Sequence, residues 1–133
     1  MAVMNWEYRG WRIFFAISAI WNFCGAIPAL LFPETNLHQF YGIVTNDYYT
    51  IFLNRGLWWA VLLFGVGYAI VAYDPGQNLG IVIMGIMGKV IVAIHWFYLF
   101  GIDKATGYAV FAASGDSLFT VFFIIYLVRG PRA

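Results

Sequence analysis

The chain has 133 residues, 63% hydrophobic and 21% aromatic, with only seven Lys or Arg and six Asp or Glu. Soluble domains are about 45–50% apolar and about a quarter charged, and a chain this short buries too little of its surface to hide such an excess. The composition excludes a soluble globular domain and a disordered chain, and a net charge of +1 offers no basic patch for nucleic acid.

The few charges divide the chain. Residues 13–33, 56–73, 75–88, 90–102 and 117–128 carry none. A membrane-spanning helix needs about 20 apolar residues, and four such segments are predicted, near 11–32, 48–72, 79–100 and 107–128. A closed β-barrel is the other spanning solution and would need alternating polarity, which runs such as VLLFGVGYAIVA lack. The expected fold is all-α: a four-transmembrane-helix antiparallel bundle forming one integral membrane domain over residues 1–133.

Arg9 and Arg12 precede the first segment, but its apolar run is too long for a signal peptide. Cys24 is the one cysteine, so no internal disulfide or thiolate metal cluster forms; it reads as a small buried apolar residue. Pro33-Glu34-Thr35-Asn36 stops the first helix. After it, Leu37, Phe40, Tyr41 and Val44 recur at helical spacing, which fits a short interfacial helix or equally a loop whose aromatics touch headgroups. Asn46-Asp47 is placed to cap the second helix. In the Asp74–Asn78 turn, Pro75 presets φ and Gly76 would take a positive φ, making the second and third spans a tight antiparallel hairpin. The short loop 101–106 makes the third and fourth spans neighbours.

Arg9, Arg12, Arg129 and Arg132 fall on one side of four crossings and Lys104 on the other, so both termini are expected to be cytoplasmic. Trp6, Trp11, Tyr73 and Tyr126 then lie near the inner interface, and Tyr48, Tyr49, Tyr98 and Tyr108 near the outer one.

The polar residues within the spans are the candidates for function. Lys89 lies ten residues after Leu79, roughly 15 Å deep, and Asp116 lies nine after Gly107, at nearly the same level. The two are expected to meet, because an isolated charge at that depth costs at least about 2.5–3.5 kcal/mol. Arg55 lies seven residues into the second span, at about the level of His95, and Asn22 is near the middle of the first. Two permanent cations thus face one acid. Either Lys89–Asp116 is an ion pair that fixes helix register while Arg55 reaches phosphate, or Asn22, Arg55, Lys89, His95 and Asp116 line a pocket. Such a pocket would hold an anionic or amphipathic ligand, or pass protons. Trp58, Trp59 and Trp96 outline a candidate aromatic cleft, with Arg55 placed to stack on an indole. His95 lies about 120° around its helix from Lys89 at 100° per residue and so is suited to a different neighbour. Small or polar stripes mark three helices: Ser18, Asn22, Gly25 and Ala29; Gly85, Gly88 and Lys89; Ala109, Ala113 and Asp116.

No metal-ligand cluster, nucleotide loop or hydrolase triad is spaced along the chain. Neither catalytic nor metal-binding residues are expected, and no cofactor beyond a quinone or lipid.

Gly25 with the Leu30–Pro33 run, Asn54-Arg55-Gly56 opening the second span, and Ala113-Ser114-Gly115-Asp116 in the fourth together resemble small four-helix DoxX-like bacterial membrane proteins. The resemblance implies the fold and a bacterial cytoplasmic membrane. Some members are associated with membrane redox enzymes, but this chain lacks a cysteine pair for thiol-disulfide exchange. The leading expectation is a non-enzymatic binding or transport protein centred on Lys89, Asp116 and Arg55, working as a homo-oligomer or with partner membrane subunits among membrane lipid. The alternative is an accessory of a membrane oxidoreductase that binds a quinone or lipid, and a third reading is a purely structural subunit.

Overall fold

The computed structural model describes residues 6–132 as five helices with no strand among them: α1 (Trp6–Leu31), α2 (Pro33–Tyr41), α3 (Tyr48–Tyr73), α4 (Leu79–Gly101) and α5 (Gly107–Arg129). All but α2 are long and apolar enough to cross a membrane. α1 begins earlier than expected, because charge excludes residues from an apolar run without ending a helix, and Glu7 suits a first turn. Pro28 is accommodated inside α1.

Segment 33–47 resolves into a helix followed by an irregular stretch. Pro33 opens α2 at the position where its missing N–H costs nothing, and Gly42 ends it at φ 68°, where its N–H bonds the His38 carbonyl. Asp47 caps α3: its Oδ2 accepts from the Thr50 N–H at 2.9 Å and the Thr50 hydroxyl at 2.8 Å. Both bonds favour the carboxylate and hold its pKa below the ordinary 3.8. In the 74–78 turn, Asp74 Oδ1 accepts the Gly76 N–H at 3.2 Å. This side-chain closure removes the need for the positive φ expected at Gly76; the left-handed residues described are Gly42 and Asp103.

The helices associate as two close pairs, α1 with α3 and α4 with α5. α3 and α4, though joined by the short turn, touch much less, so the tight hairpin expected there is loosened. Glycine sets the α1–α3 distance. A Cβ at Gly65 would lie 2.8 Å from the Phe23 ring, and one at Gly25 would lie 3.2 Å from Trp58.

Two apolar clusters fill the interior. Toward the α2 end lie Ala26, Ala29, Phe40, Trp58, Ala93, Trp96, Ala109 and Ala113. Toward the 74–78 end lie Phe15, Ala19, Tyr68, Val71, Val82, Phe123 and Tyr126. Asn22, Lys89 and Asp116 occupy the level between them. Large apolar side chains such as Ile13, Leu53, Leu63, Ile94 and Leu118 are 61–71% exposed, as on lipid-facing surfaces.

Tyr48, Tyr49, Tyr73 and Tyr98 are 63–81% exposed near helix ends, whereas Tyr126 is fully buried, 5.2 Å from the Trp11 ring, and belongs to the core rather than to an interfacial belt. The Trp6 side chain lies outside what is described. Cys24, expected to be buried, is exposed; it follows the inward-facing Asn22 by two positions, about 200° around α1.

Candidate functional site

Three helices meet at a polar layer. Lys89 Nζ from α4 lies 2.7 Å from Asp116 Oδ1 of α5 and donates at 3.1 Å to Asn22 Oδ1 of α1. The Asn22 amide donates in turn to the Val61 carbonyl of α3 at 3.0 Å, so the network ties all four long helices. Trp21 Nε1 donates to the same Asp116 oxygen at 3.0 Å. The Lys89 ammonium also lies 5.4 Å from the Tyr68 ring and 5.3 Å from the Phe119 ring, within cation–π range. Lys89 is 5% exposed and Asp116 13%. A buried pair is tolerable when hydrogen bonds support it, and here Trp21 donates to Asp116 and Asn22 accepts from Lys89.

Packing places Trp21 as closely as its hydrogen bond does. Its indole lies against Gly115, where any Cβ would collide with it. Gly115 thus keeps the space through which α1 reaches the acid on α5.

Above this layer, toward α2, lies a cavity of about 540 Å³. Asn22, Lys89 and Asp116 form its polar floor; Gly25, Pro28, Trp58, Val61, Phe64, Val92 and Trp96 supply most of its walls. Thr35, Asn36, Gln39 and Phe40 of α2 line the far end. α2 is fastened there on three sides. Asn54 of α3 donates to Asn36 at 2.8 Å, Trp96 of α4 donates to the Tyr41 hydroxyl at 3.0 Å, and the Thr106 N–H donates to the Phe40 carbonyl at 2.9 Å. The Thr106 hydroxyl also donates to the Gln39 carbonyl. Burial raises the Tyr41 pKa, opposed by the Trp96 bond.

Of the residues singled out in sequence, Lys89, Asp116, Asn22, Trp58 and Trp96 come together around the cavity. Arg55, His95 and Trp59 stand apart. Arg55 is exposed and makes no hydrogen bond or ion pair among the described residues, nor does it stack on an indole. Trp59 is 54% exposed, turned about 100° from buried Trp58 by one helical step. His95 is exposed, its Nδ1 2.8 Å from the Ile91 carbonyl of its own helix. Trp96 closes the circuit back to Lys89, seven residues and about 20° away. Trp58 Nε1 is buried with no hydrogen-bond partner among the described residues.

Trp21, Tyr68, Asn36, Asn54 and Tyr41 escaped the sequence reading as site residues. Nothing in the spacing marks Trp21, since it neighbours Asn22 on a different face. Tyr41 had a signal, its helical spacing with Leu37 and Phe40, but no indication that the helix roofs a cavity.

Among the described residues no group of three or more His, Cys, Asp or Glu is arranged to hold a metal ion. Comparison with known proteins yields no family model, curated protein or solved structure that matches the chain.

Proposed function

We propose that this chain is a multi-pass membrane protein that binds a neutral amphiphile in the cavity and works by binding or passing it, without catalysis. In this reading the long helices form an antiparallel bundle, α2 lies at the outer interface, and both termini face the cytoplasm of a bacterium. Arg9, Arg12, Arg129 and Arg132 gather at one end against Lys104 at the other, which supports that orientation.

The observation that carries the reading is the cavity itself. Its volume is in the range typical of ligand pockets, about 300–1,000 Å³, and it joins apolar walls to a polar floor at the Lys89 end. The character of that end selects the ligand. With Arg55 outside the cavity, Lys89 and Asp116 offset one another and leave no spare cation for an anionic head. A carbonyl or hydroxyl is better matched: Lys89 has a third N–H beyond its bonds to Asn22 and Asp116, and Asp116 Oδ2 accepts nothing among the described residues. A lipid or quinone has this combination of neutral polar group and apolar body. The cavity lies within one chain, so a second copy is not required to form it.

The test is mass spectrometry of solvent extracts from protein purified in mild detergent. A neutral lipid or quinone near equimolar amount is expected. Protein that carries none and takes up neither a short-chain quinone nor a diacylglycerol overturns the reading. The aromatic walls, with the Trp58 and Trp96 rings 6.0 Å apart, favour a flat quinone ring and hence a second reading, an accessory of a membrane oxidoreductase. That reading requires a stable partner subunit in a pulldown.

A further inference from the structure

The cavity has a roof, a floor and two long seams, and its closure is uneven. The roof is α2, held by hydrogen bonds from α3, α4 and Thr106. The floor is the Lys89 layer. Along the α3–α4 seam, aromatic side chains bridge the gap at several heights, Trp58 with Trp96, Phe64 against Gly88 and Tyr68 against Gly85, although Ala60 and Ile91 between them are exposed and also line the cavity. Along the α1–α5 seam, ring contacts run from Trp11–Tyr126 through Phe14–Phe123 and end at Trp21, with Phe111 and Phe119. Above Trp21 the seam is lined by Cys24 and Pro28 on α1 and Phe111 and Ala112 on α5, all of which also line the cavity. Cys24 and Pro28 are exposed, and Phe111 is 63% exposed. The top of this opening is the contact between Phe40 and Tyr108, ring centroids 5.0 Å apart.

We infer that the cavity fills sideways through this window between α1 and α5, so its ligand is a molecule dissolved in the bilayer and not a water-soluble solute. The inference rests on the cavity being an amphiphile site and adds the source and route of the occupant. Every side chain framing the window is apolar or weakly polar, which suits passage of an acyl or isoprenoid chain. Thr35 and Gln39 of α2 are exposed and line the cavity too, so the apolar frame of the window, and not a sealed roof, is what selects a bilayer-borne ligand.

Cys24 is the only cysteine of the chain, so the window carries a natural labelling point. The protein is reconstituted in phosphatidylcholine vesicles and mixed with vesicles containing a decyl-substituted benzoquinone; uptake is followed as quenching of tryptophan fluorescence. Pyrene maleimide on Cys24 is expected to slow uptake at least tenfold. Cys24→Ala treated with the same reagent, and the variant Cys24→Ala/Ile94→Cys labelled on the outer face of α4 away from the cavity, keep the unlabelled rate. An unaffected rate with Cys24 labelled, or equal slowing with the label at position 94, overturns the window while leaving the cavity reading intact. No quenching in unlabelled protein overturns both.

Discussion

Asp116 accepts from a lysine and an indole at one oxygen, which makes it the residue whose change propagates furthest. Asp116→Asn leaves the Lys89 ammonium without its counter-charge at 5% exposure, and removing one partner of a buried pair costs about 3–5 kcal/mol. The combined Lys89→Met/Asp116→Asn variant should recover most of that stability, as read by thermal unfolding in detergent, because no unpaired charge remains. If binding returns along with stability, the pair is a register device and the proposed site fails. Trp21→Phe separates packing from hydrogen bonding: it keeps a ring over Gly115 and deletes the donor to Asp116, for an expected loss of about 1.5–3 kcal/mol. Gly115→Ala acts on the same bond from below by pushing the indole off α5. It should destabilise by about 1–3 kcal/mol and, measured by quinone titration, weaken binding.

Two elements, α3 and α2, are held by side-chain chemistry that can be perturbed separately. Asp47 is the clearest case, since its depressed pKa couples the start of α3 to pH. A carboxylate whose folded pKa lies below its unfolded value contributes stability above the unfolded value, and that contribution disappears as pH falls through the folded one. The difference in melting temperature between wild type and Asp47→Ala should therefore be full at neutral pH and shrink below about pH 3.8. A difference that stays constant into acid would remove Asp47 from the cap. At the roof, Asn54→Leu strands the buried Asn36 amide, which is 5% exposed. The expected cost is about 1–3 kcal/mol, read as faster hydrogen exchange confined largely to α2.

At the scale of the molecule, the two close helix pairs explain why a short chain holds a cavity at all. α1–α3 and α4–α5 are each tightly joined, and the polar layer fixes their spacing, so the space above it cannot collapse without breaking the Lys89 network. The proposed topology is checked with C-terminal fusions. A green fluorescent protein fusion should fluoresce and an alkaline phosphatase fusion should be inactive; the reverse pattern would place the termini outside.

The sequence by itself determined the spans, because hydropathy and length are properties of consecutive residues and need no partner. It also determined the meeting of Lys89 and Asp116, since both lie nine or ten residues into helices joined by a short loop. The stripes of Ser18, Asn22, Ala29, Ala109 and Ala113 were legible too, and those residues are buried. Tertiary structure decided which of the remaining polar groups join that pair. Arg55 and His95 turn outward, and Trp58 and Trp59, adjacent in sequence, ended on opposite sides of burial. Depth follows from counting residues at a fixed rise, whereas rotation is set by which face of each helix its neighbours will pack against. That packing puts α2 over the cavity and leaves its side open at Cys24, neither of which a single helix's pattern contains.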